Sequence, residues 1–389
     1  MQTSLGDVFI DMYKVRLAIN SRWVSYTLLL ALYWIAATAS MSGFIGKWAL
    51  RDSAPTYGIE QVFDNTAIKP FAYRILLPTV ANVVDRIVPA NVKAYAVDKL
   101  GPYRTFTRAT SSVKPSYAFR YIVVMYLCLG LCLASLFVLR EVLLELKFSM
   151  QTATSIPAIF VLAFPFVQTI GGYFYDYAEM FFFSAAVLLA LRNQLLLLCL
   201  MAIPATLNKE AFFFFLPTLY PFLRARSSKK ATISILAGAV GISGLVNAIV
   251  KWVYLDAGGG AAHFQFFDNL RKYLLPTTYA QLEVTYGFVG PSGAFIGTLF
   301  VIVAVILRGW PTSPAKVRAH LLIAAIVNFP LFLLFCAPGE MRNLSLLFVG
   351  FIVLIASTVE QPSDRGLALD QAEGSDKNPL STADVDAAG

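Results

Sequence analysis

The chain has 389 residues, of which 58% are hydrophobic and only 14% charged, and its formal net charge is +8. Ordinary soluble domains carry about 25% charged residues, so that class is excluded. A mean hydropathy of +0.66 and repeated apolar runs of about 15 to 22 residues define an all-α polytopic membrane protein. The basic residues sit in short clusters between apolar runs, as topology signals do, and so point to no nucleic-acid partner.

Residues 1–22 read as a cytoplasmic leader, because Lys14, Arg16 and Arg22 precede the first predicted span at 23–45. Ala37-Thr38-Ala39 has the small-residue spacing of a cleavage site, but the full-length apolar run favours an uncleaved anchor. A long first outer loop, 46–119, follows. Its pattern from Tyr73 to Val88 is amphipathic and predicts an interfacial helix. Spans are expected next at 120–139, 155–170 and 178–191. The runs 195–207 and 211–223 are each too short to cross, reaching about 20 Å against about 30 Å of hydrocarbon. Between them lies Asn208-Lys209-Glu210, which predicts the tip of a short helical hairpin. The hairpin returns to Arg224, Arg226, Lys229 and Lys230, the strongest cytoplasmic signal in the chain.

Further spans at 231–253, 292–307, 321–336 and 344–358, with a second outer loop at 254–290, bring the expected number to about ten transmembrane helices when the two arms of the hairpin are counted. The transmembrane domain is then residues 23–358. The tail, 359–389, is rich in Ser, Asp, Gly and Ala, and is expected to be disordered and cytoplasmic. Both termini are placed inside, in a multi-pass protein of the bacterial inner (plasma) membrane.

That topology gathers the unusual polar groups on the outer face. Asp64 lies in the first outer loop ahead of Tyr73 and Arg74. A guanidinium there either grips a phosphate or lipid headgroup through two N–H groups or snorkels. Asp176 and Glu179 are spaced i,i+3, which puts both carboxylates on one helix face. A carboxylate inside an apolar stretch is costly, so a functional role or a buried ion pair is expected. Lys209 and Glu210 are adjacent and project to different sides of a helix. Lys209 is expected to hold a phosphate or to pair with Glu179 or Asp176. Glu340 and Arg342 follow Pro338-Gly339 in a turn into the last span, and either belong to the same polar site or form a surface salt bridge, which is worth little.

Charge in a membrane cavity marks an ion path, a substrate site or catalysis. No Walker A, HExxH or GxSxG pattern occurs, so neither ATP nor a zinc-protease site is expected. The four cysteines make no CxxC pair, and only His263 and His320 are present, which rules out a histidine-rich metal centre.

Phe71-Ala72-Tyr73-Arg74-Ile75-Leu76-Leu77-Pro78, Tyr175-Asp176 with Glu179, Asn208-Lys209-Glu210 and Gly339-Glu340-Met341-Arg342-Asn343 resemble motifs of a group of uncharacterised bacterial inner-membrane proteins. The layout as a whole, with its long outer loop after the first span, is similar to the GT-C class of integral-membrane glycosyltransferases. These use a polyprenyl-phosphate-linked sugar as donor. The resemblance implies a catalytic carboxylate, Asp64 first and Asp176 or Glu179 next. It implies that basic residues near the membrane, Arg74, Lys209 or Arg342, hold the donor phosphate, and the outer-face polar cluster adds Tyr73, Asn208, Glu210 and Glu340 as expected binding residues for membrane lipid and the lipid-linked sugar. It leaves room for a divalent cation that bridges acid and phosphate. The Asp-x-Asp or Glu-x-Asp pair common in that class is missing from the loop. Two other functions fit the same charges: a transporter or flippase for an anionic or glycolipid substrate, or a non-catalytic component of polysaccharide assembly. No internal repeat of the kind that marks many transporters is present.

Overall fold

The computed structural model describes residues 5–260 and 262–360, with side chains from Trp23 onward. The tail expected to be disordered therefore lies, from residue 361, outside the described residues. Helix α1 (Leu5–Trp48) is followed by the first loop, which holds α2 (Ile59–Phe63), α3 (Leu76–Ile87) and α4 (Ala90–Leu100). Then come α5 (Ala118–Glu145), α6 (Met150–Val167), α7 (Tyr175–Leu191), α8 (Leu195–Asn208), α9 (Ala211–Phe215), α10 (Tyr220–Arg224) and α11 (Lys229–Val253). The second loop carries α12 (Phe266–Leu274) and strands β1 (Leu282–Thr285) and β2 (Phe288–Pro291). The chain closes with α13 (Ile296–Thr312), α14 (Ala315–Phe335), a 3-10 turn at Met341–Leu347 and α15 (Phe348–Val359).

Among the described residues, six helices are long and apolar enough to cross a membrane: Trp23–Trp48, Ala118–Glu145, Met150–Val167, Lys229–Val253, Ala315–Phe335 and Met341–Val359. The protein is thus an all-α, multi-pass membrane protein with one small strand pair. The other predicted spans fall on shorter helices. α7 and α13 have 17 residues each, and α8 has 14.

The short hairpin is present. The chain leaves helical geometry at Lys209, whose φ of −163° and ψ of 133° are extended. It then returns through α9 and α10. Two contacts fix the direction of return. Ser227 Oγ lies 3.4 Å from Asn193 Oδ1, and Arg226 Nη2 lies 3.9 Å from the Glu145 carboxylate that Arg192 holds at 2.7 Å. The residues after α10 are therefore level with those before α8. Asn208-Lys209-Glu210 sits at the opposite end of the bundle, beside the start of α7, where Asn208 Nδ2 donates to Tyr175 O at 3.1 Å.

Lipid tails are as apolar as a protein core, so close packing and polar contacts hold these helices together more than water exclusion does. α7 is buried almost all round, and Ala178, Ala186 and Ala190, each fully buried, let its neighbours approach. The first-loop helix α3 packs on α5 and α8. The amphipathic segment expected at Tyr73–Val88 is thereby laid across the bundle end that bears the hairpin tip.

α13 meets α15 at Gly309. A Cβ there would stand 2.4 Å from the Leu354 carbonyl oxygen and 2.9 Å from Thr358 Oγ1. Gly309→Val is expected to force the helices apart and to cost about 1–3 kcal/mol. Denaturant titration of the detergent-solubilised protein tests this, and an unchanged midpoint would show that the crossing is not tight.

The second loop differs from expectation in containing a β-hairpin. Leu282 pairs with Pro291 and Thr285 with Phe288. Tyr286 and Gly287 both take positive φ, 57° and 82°, as a two-residue type I′ turn requires.

Candidate functional site

The site is assembled from five stretches of chain around the first turn of α7. Asp176 lies in that first turn, where the helix dipole favours a carboxylate. Its Oδ2 accepts from the Tyr173 backbone N–H at 2.9 Å and from Gln168 Nε2 at 3.1 Å. Its Oδ1 accepts from Arg342 Nη1 at 2.8 Å. One turn on, Glu179 Oε2 accepts from Lys209 Nζ and Glu179 Oε1 from Ser345 Oγ, both at 2.8 Å. Both carboxylates are buried, at 3% exposure, and neither has an oxygen left over. They bind α7 to the hairpin tip and to the Met341–Leu347 turn.

The expected alternative for Lys209, a pair with Glu179, is what forms. For Arg342 the surface alternative fails. It is not a surface salt bridge, because its side chain is only 4% exposed and is shared between Asp176 and Glu340. Breaking pairs at such depth is costly.

A column of aromatic rings stands beside these pairs. Tyr57 stacks on Phe71 at 4.5 Å, Phe71 on Tyr173 at 5.3 Å and Tyr173 on Tyr175 at 5.1 Å, with interplanar angles of 20°, 25° and 13°. Three guanidiniums lie against it. Arg51 and Arg342 are 4.6 and 4.4 Å from the Tyr173 ring, and Arg74 is 4.5 Å from that of Tyr175. Each is within cation–π range. Arg74 also donates to the Tyr175 hydroxyl and, through Nη2, to Glu210 Oε1 at 3.0 Å. Tyr73, next to Arg74, is buried.

Six buried polar atoms here have no hydrogen-bond partner. Three are donors, the Nε atoms of Arg51, Arg74 and Arg342. Three are acceptors, Gln168 Oε1, Asn208 Oδ1 and Glu210 Oε2. Buried polar groups are nearly always satisfied, so these atoms call for further polar partners beside them. Glu340 is also incompletely used. Its Oε2 accepts from Asn343 Nδ2 at 2.7 Å and from Arg342 Nη2 at 3.3 Å, and its Oε1 accepts no hydrogen bond from the described residues.

Asp64, the carboxylate expected first in the catalytic role, stands outside this cluster. It caps the end of α2 and accepts from Tyr117 Oη at 2.5 Å. Arg120 Nη1 is 3.6 Å from its Oδ1, and its side chain is 42% exposed. The remaining candidates, Tyr73, Arg74, Asp176, Glu179, Asn208, Lys209, Glu210, Glu340 and Arg342, are brought to one end of the bundle.

Sequence reasoning missed Tyr175, whose ring and hydroxyl meet Arg74, and Asn343, whose Oδ1 accepts from Lys209 Nζ at 3.3 Å. Both lie inside the quoted motifs, so their signal was present. Tyr175 reads as an interfacial aromatic, and Asn343 carries no charge to betray it.

A bridging divalent cation fits poorly. Among the described residues no group of three His, Cys, Asp or Glu side chains converges as a metal site, and the carboxylate oxygens of Asp176 and Glu179 already serve cations and hydrogen bonds.

Beside the site, Asp52 secures the first loop by accepting from Ser111 N at 2.7 Å, Leu50 N at 3.0 Å and Tyr121 Oη at 3.2 Å. Burial raises its pKa above the ordinary 3.8, outweighing the hydrogen bonds that lower it. The protonated form is thus favoured by folding. The contribution of Asp52 to stability is full below the unfolded value and is lost as pH rises through the folded one. Asp52→Asn is expected to flatten stability against pH just above pH 4. Thermal midpoints measured across that window check it, and an unaltered slope would exclude the effect.

Against known proteins, no family description, no curated protein and no solved structure matches this chain. Fold and site together define a multi-pass membrane protein with a buried, ion-paired, aromatic-lined polar centre at one end of its bundle.

Proposed function

We propose that the chain is a membrane glycosyltransferase with about ten spans, which takes a sugar from a polyprenyl-phosphate donor at the outer face of a bacterial inner membrane. The observation that carries this is the group of three guanidiniums against the aromatic column, each with an unpartnered Nε–H. Such donors suit a phosphate leaving group, whose charge grows as the bond to the sugar breaks. The amphipathic helix α3 lies over that end of the bundle, where a lipid headgroup would arrive.

The acceptor hydroxyl oxygen attacks the anomeric carbon. The bond from that carbon to the phosphate oxygen breaks, and the phosphate departs with the electron pair, held by Arg74 and Arg342. The hydroxyl proton passes to a carboxylate. Asp176 and Glu179 have no oxygen available for it, so we assign the base role to Glu340 and keep Asp64 as the alternative.

A second function has one observation in its favour. Arg74, Lys209 and Arg342 are ion-paired with Asp176, Glu179, Glu210 and Glu340, and Arg51 lies beside them on the Tyr173 ring, which makes four charges of each sign. So balanced a network suits a gate in a transporter or flippase, or a structural clamp in an assembly component.

The deciding experiment is mass spectrometry of lipid-linked sugars and envelope glycans in wild type, a deletion strain, and the deletion complemented with Glu340→Gln or Asp64→Asn. A missing sugar with accumulated donor in the deletion supports transfer, and whichever variant fails to rescue marks the base. A complete glycolipid building up in the deletion supports transport instead.

A further inference from the structure

The second loop turns an apolar surface outward. Its helix α12 is fastened across the end of α14. Asn269 is fully buried and donates through Nδ2 to Leu333 O at 3.0 Å and to Cys336 O at 2.9 Å. The Gln265 backbone N–H donates to Leu334 O at 2.7 Å. Carbonyls at a helix end have no partner within the helix, and these contacts supply one. With Asn269 inward, the helical period carries Phe267, Leu270 and Leu274 to the opposite face, where they are 70%, 46% and 71% exposed. Arg271, also exposed, shares that face. On the β-hairpin, Val284 and Val289 are cross-strand partners and both are exposed, and Phe288 beside the turn is 80% exposed.

An apolar patch of this kind meets either a protein or a membrane, and its depth decides between them. Tyr286, in the hairpin turn, donates through Oη to Leu162 O at 2.9 Å, and a Cβ on Gly43 would stand 2.9 Å from its ring. Leu162 lies five residues before the end of α6 at Val167, and Gly43 five residues before the end of α1 at Trp48. Both helices are long and apolar enough to cross a membrane. At the helical rise, both contacts put the hairpin tip about 7–8 Å inside the helix ends. The 18 residues of α6 make about 27 Å of helix, against about 30 Å of hydrocarbon, so its end does not stand clear of the bilayer. The tip is therefore below the reach of a water-soluble partner. The surface is also continuous with the sides of the spans. β2 leads into α13, whose first turns expose Ile296 and Phe300, and α14 beneath α12 exposes Phe329 and Leu333.

We infer that the second loop is seated in the membrane, its α12 face and β-hairpin bound to phospholipid of the leaflet at the site end of the bundle. Acyl chains cover Phe267, Leu270, Leu274 and Phe288, and Arg271 reaches back to a headgroup phosphate. Elements of this type lie about 5–10 Å into the boundary between headgroups and acyl chains. Water still serves the open edges of a two-stranded hairpin there, as it would not at the dry centre. The inference holds whether or not the chain transfers a sugar.

The test is spin-label EPR on the full chain in nanodiscs of phosphatidylethanolamine and phosphatidylglycerol, wide enough for two copies. Nitroxides are attached through Phe267→Cys and Phe288→Cys, positions already exposed, and through Ile326→Cys, midway along α14, as the lipid reference. The native cysteines are buried or half-buried, and the unmodified chain carried through the labelling gives the background. Elution profiles control for folding. Both labels are expected to be relaxed more by oxygen, which gathers among acyl chains, than by a nickel chelate, which stays in water. Their depth should be about 5–10 Å below the phosphates. Stronger relaxation by nickel at either position would put the surface in water and overturn the proposal. Protection from both reagents would overturn it too, and dipolar broadening between labels would then identify a second copy of the chain as the cover.

Discussion

Glu340→Gln is expected to lower sugar transfer by about two to four orders of magnitude, the usual worth of a general base, while the protein folds normally. Glutamine keeps an oxygen to accept from Asn343 Nδ2, which holds Glu340 Oε2 at 2.7 Å, so the turn at Met341–Leu347 keeps its anchor. It loses the negative oxygen that takes the proton. Side-chain exposure of 13% leaves Glu340 closer to solvent than Asp176, at 2%, and Glu179, at 3%, as a group meeting substrate must be. The assay is transfer from a synthetic polyprenyl-phosphate sugar by purified protein, with the elution profile of each variant as the folding control. Near-normal turnover in Glu340→Gln would remove it as base. The same loss in Asp64→Asn alone would transfer the role to the first loop.

Asp176→Leu carries the largest expected effect on stability, about 3–5 kcal/mol. It takes from the Arg342 guanidinium, which is 4% exposed, its nearer carboxylate and leaves only Glu340 at 3.3 Å, and breaking a buried pair costs that much. It also removes the acceptor of the Tyr173 N–H and of Gln168 Nε2. The double change Asp176→Leu with Arg342→Leu should recover a large part of the loss, because a well-packed apolar pair can replace a buried ion pair. Unfolding free energies of the two single and one double variant, measured in the same detergent, form the cycle that decides it. Additive losses would mean that the two side chains act separately.

Six of the spans were legible because their apolar runs are long enough to cross on their own. The hairpin tip was legible because charge inside an apolar stretch has few innocent explanations. Partner choice was not. Asp176 and Glu179 share a helix face, yet one meets Arg342 from the last transmembrane segment and the other Lys209 from the hairpin. Nothing along the chain encodes which. Asp64 looked well placed in the sequence because it precedes Arg74 closely, but the turn at Phe71–Tyr73 and the capping position at the end of α2 send the two side chains to different partners. The strand pair was readable in principle from Tyr286-Gly287 after the alternating run Leu282–Thr285, and was obscured because Phe288–Pro291 does not alternate and the whole stretch reads as loop.

One consequence concerns the lipid beside α8. Its 14 residues make about 21 Å of helix, against a hydrocarbon layer of about 30 Å. Leu196, Leu197, Leu200 and Ile203 are exposed on it. A bilayer meets so short an apolar wall by thinning locally. Headgroups along that flank are drawn inward, towards the level of Lys209 and Glu210, and a lipid phosphate approaching from there has less hydrocarbon to cross before it meets Arg74.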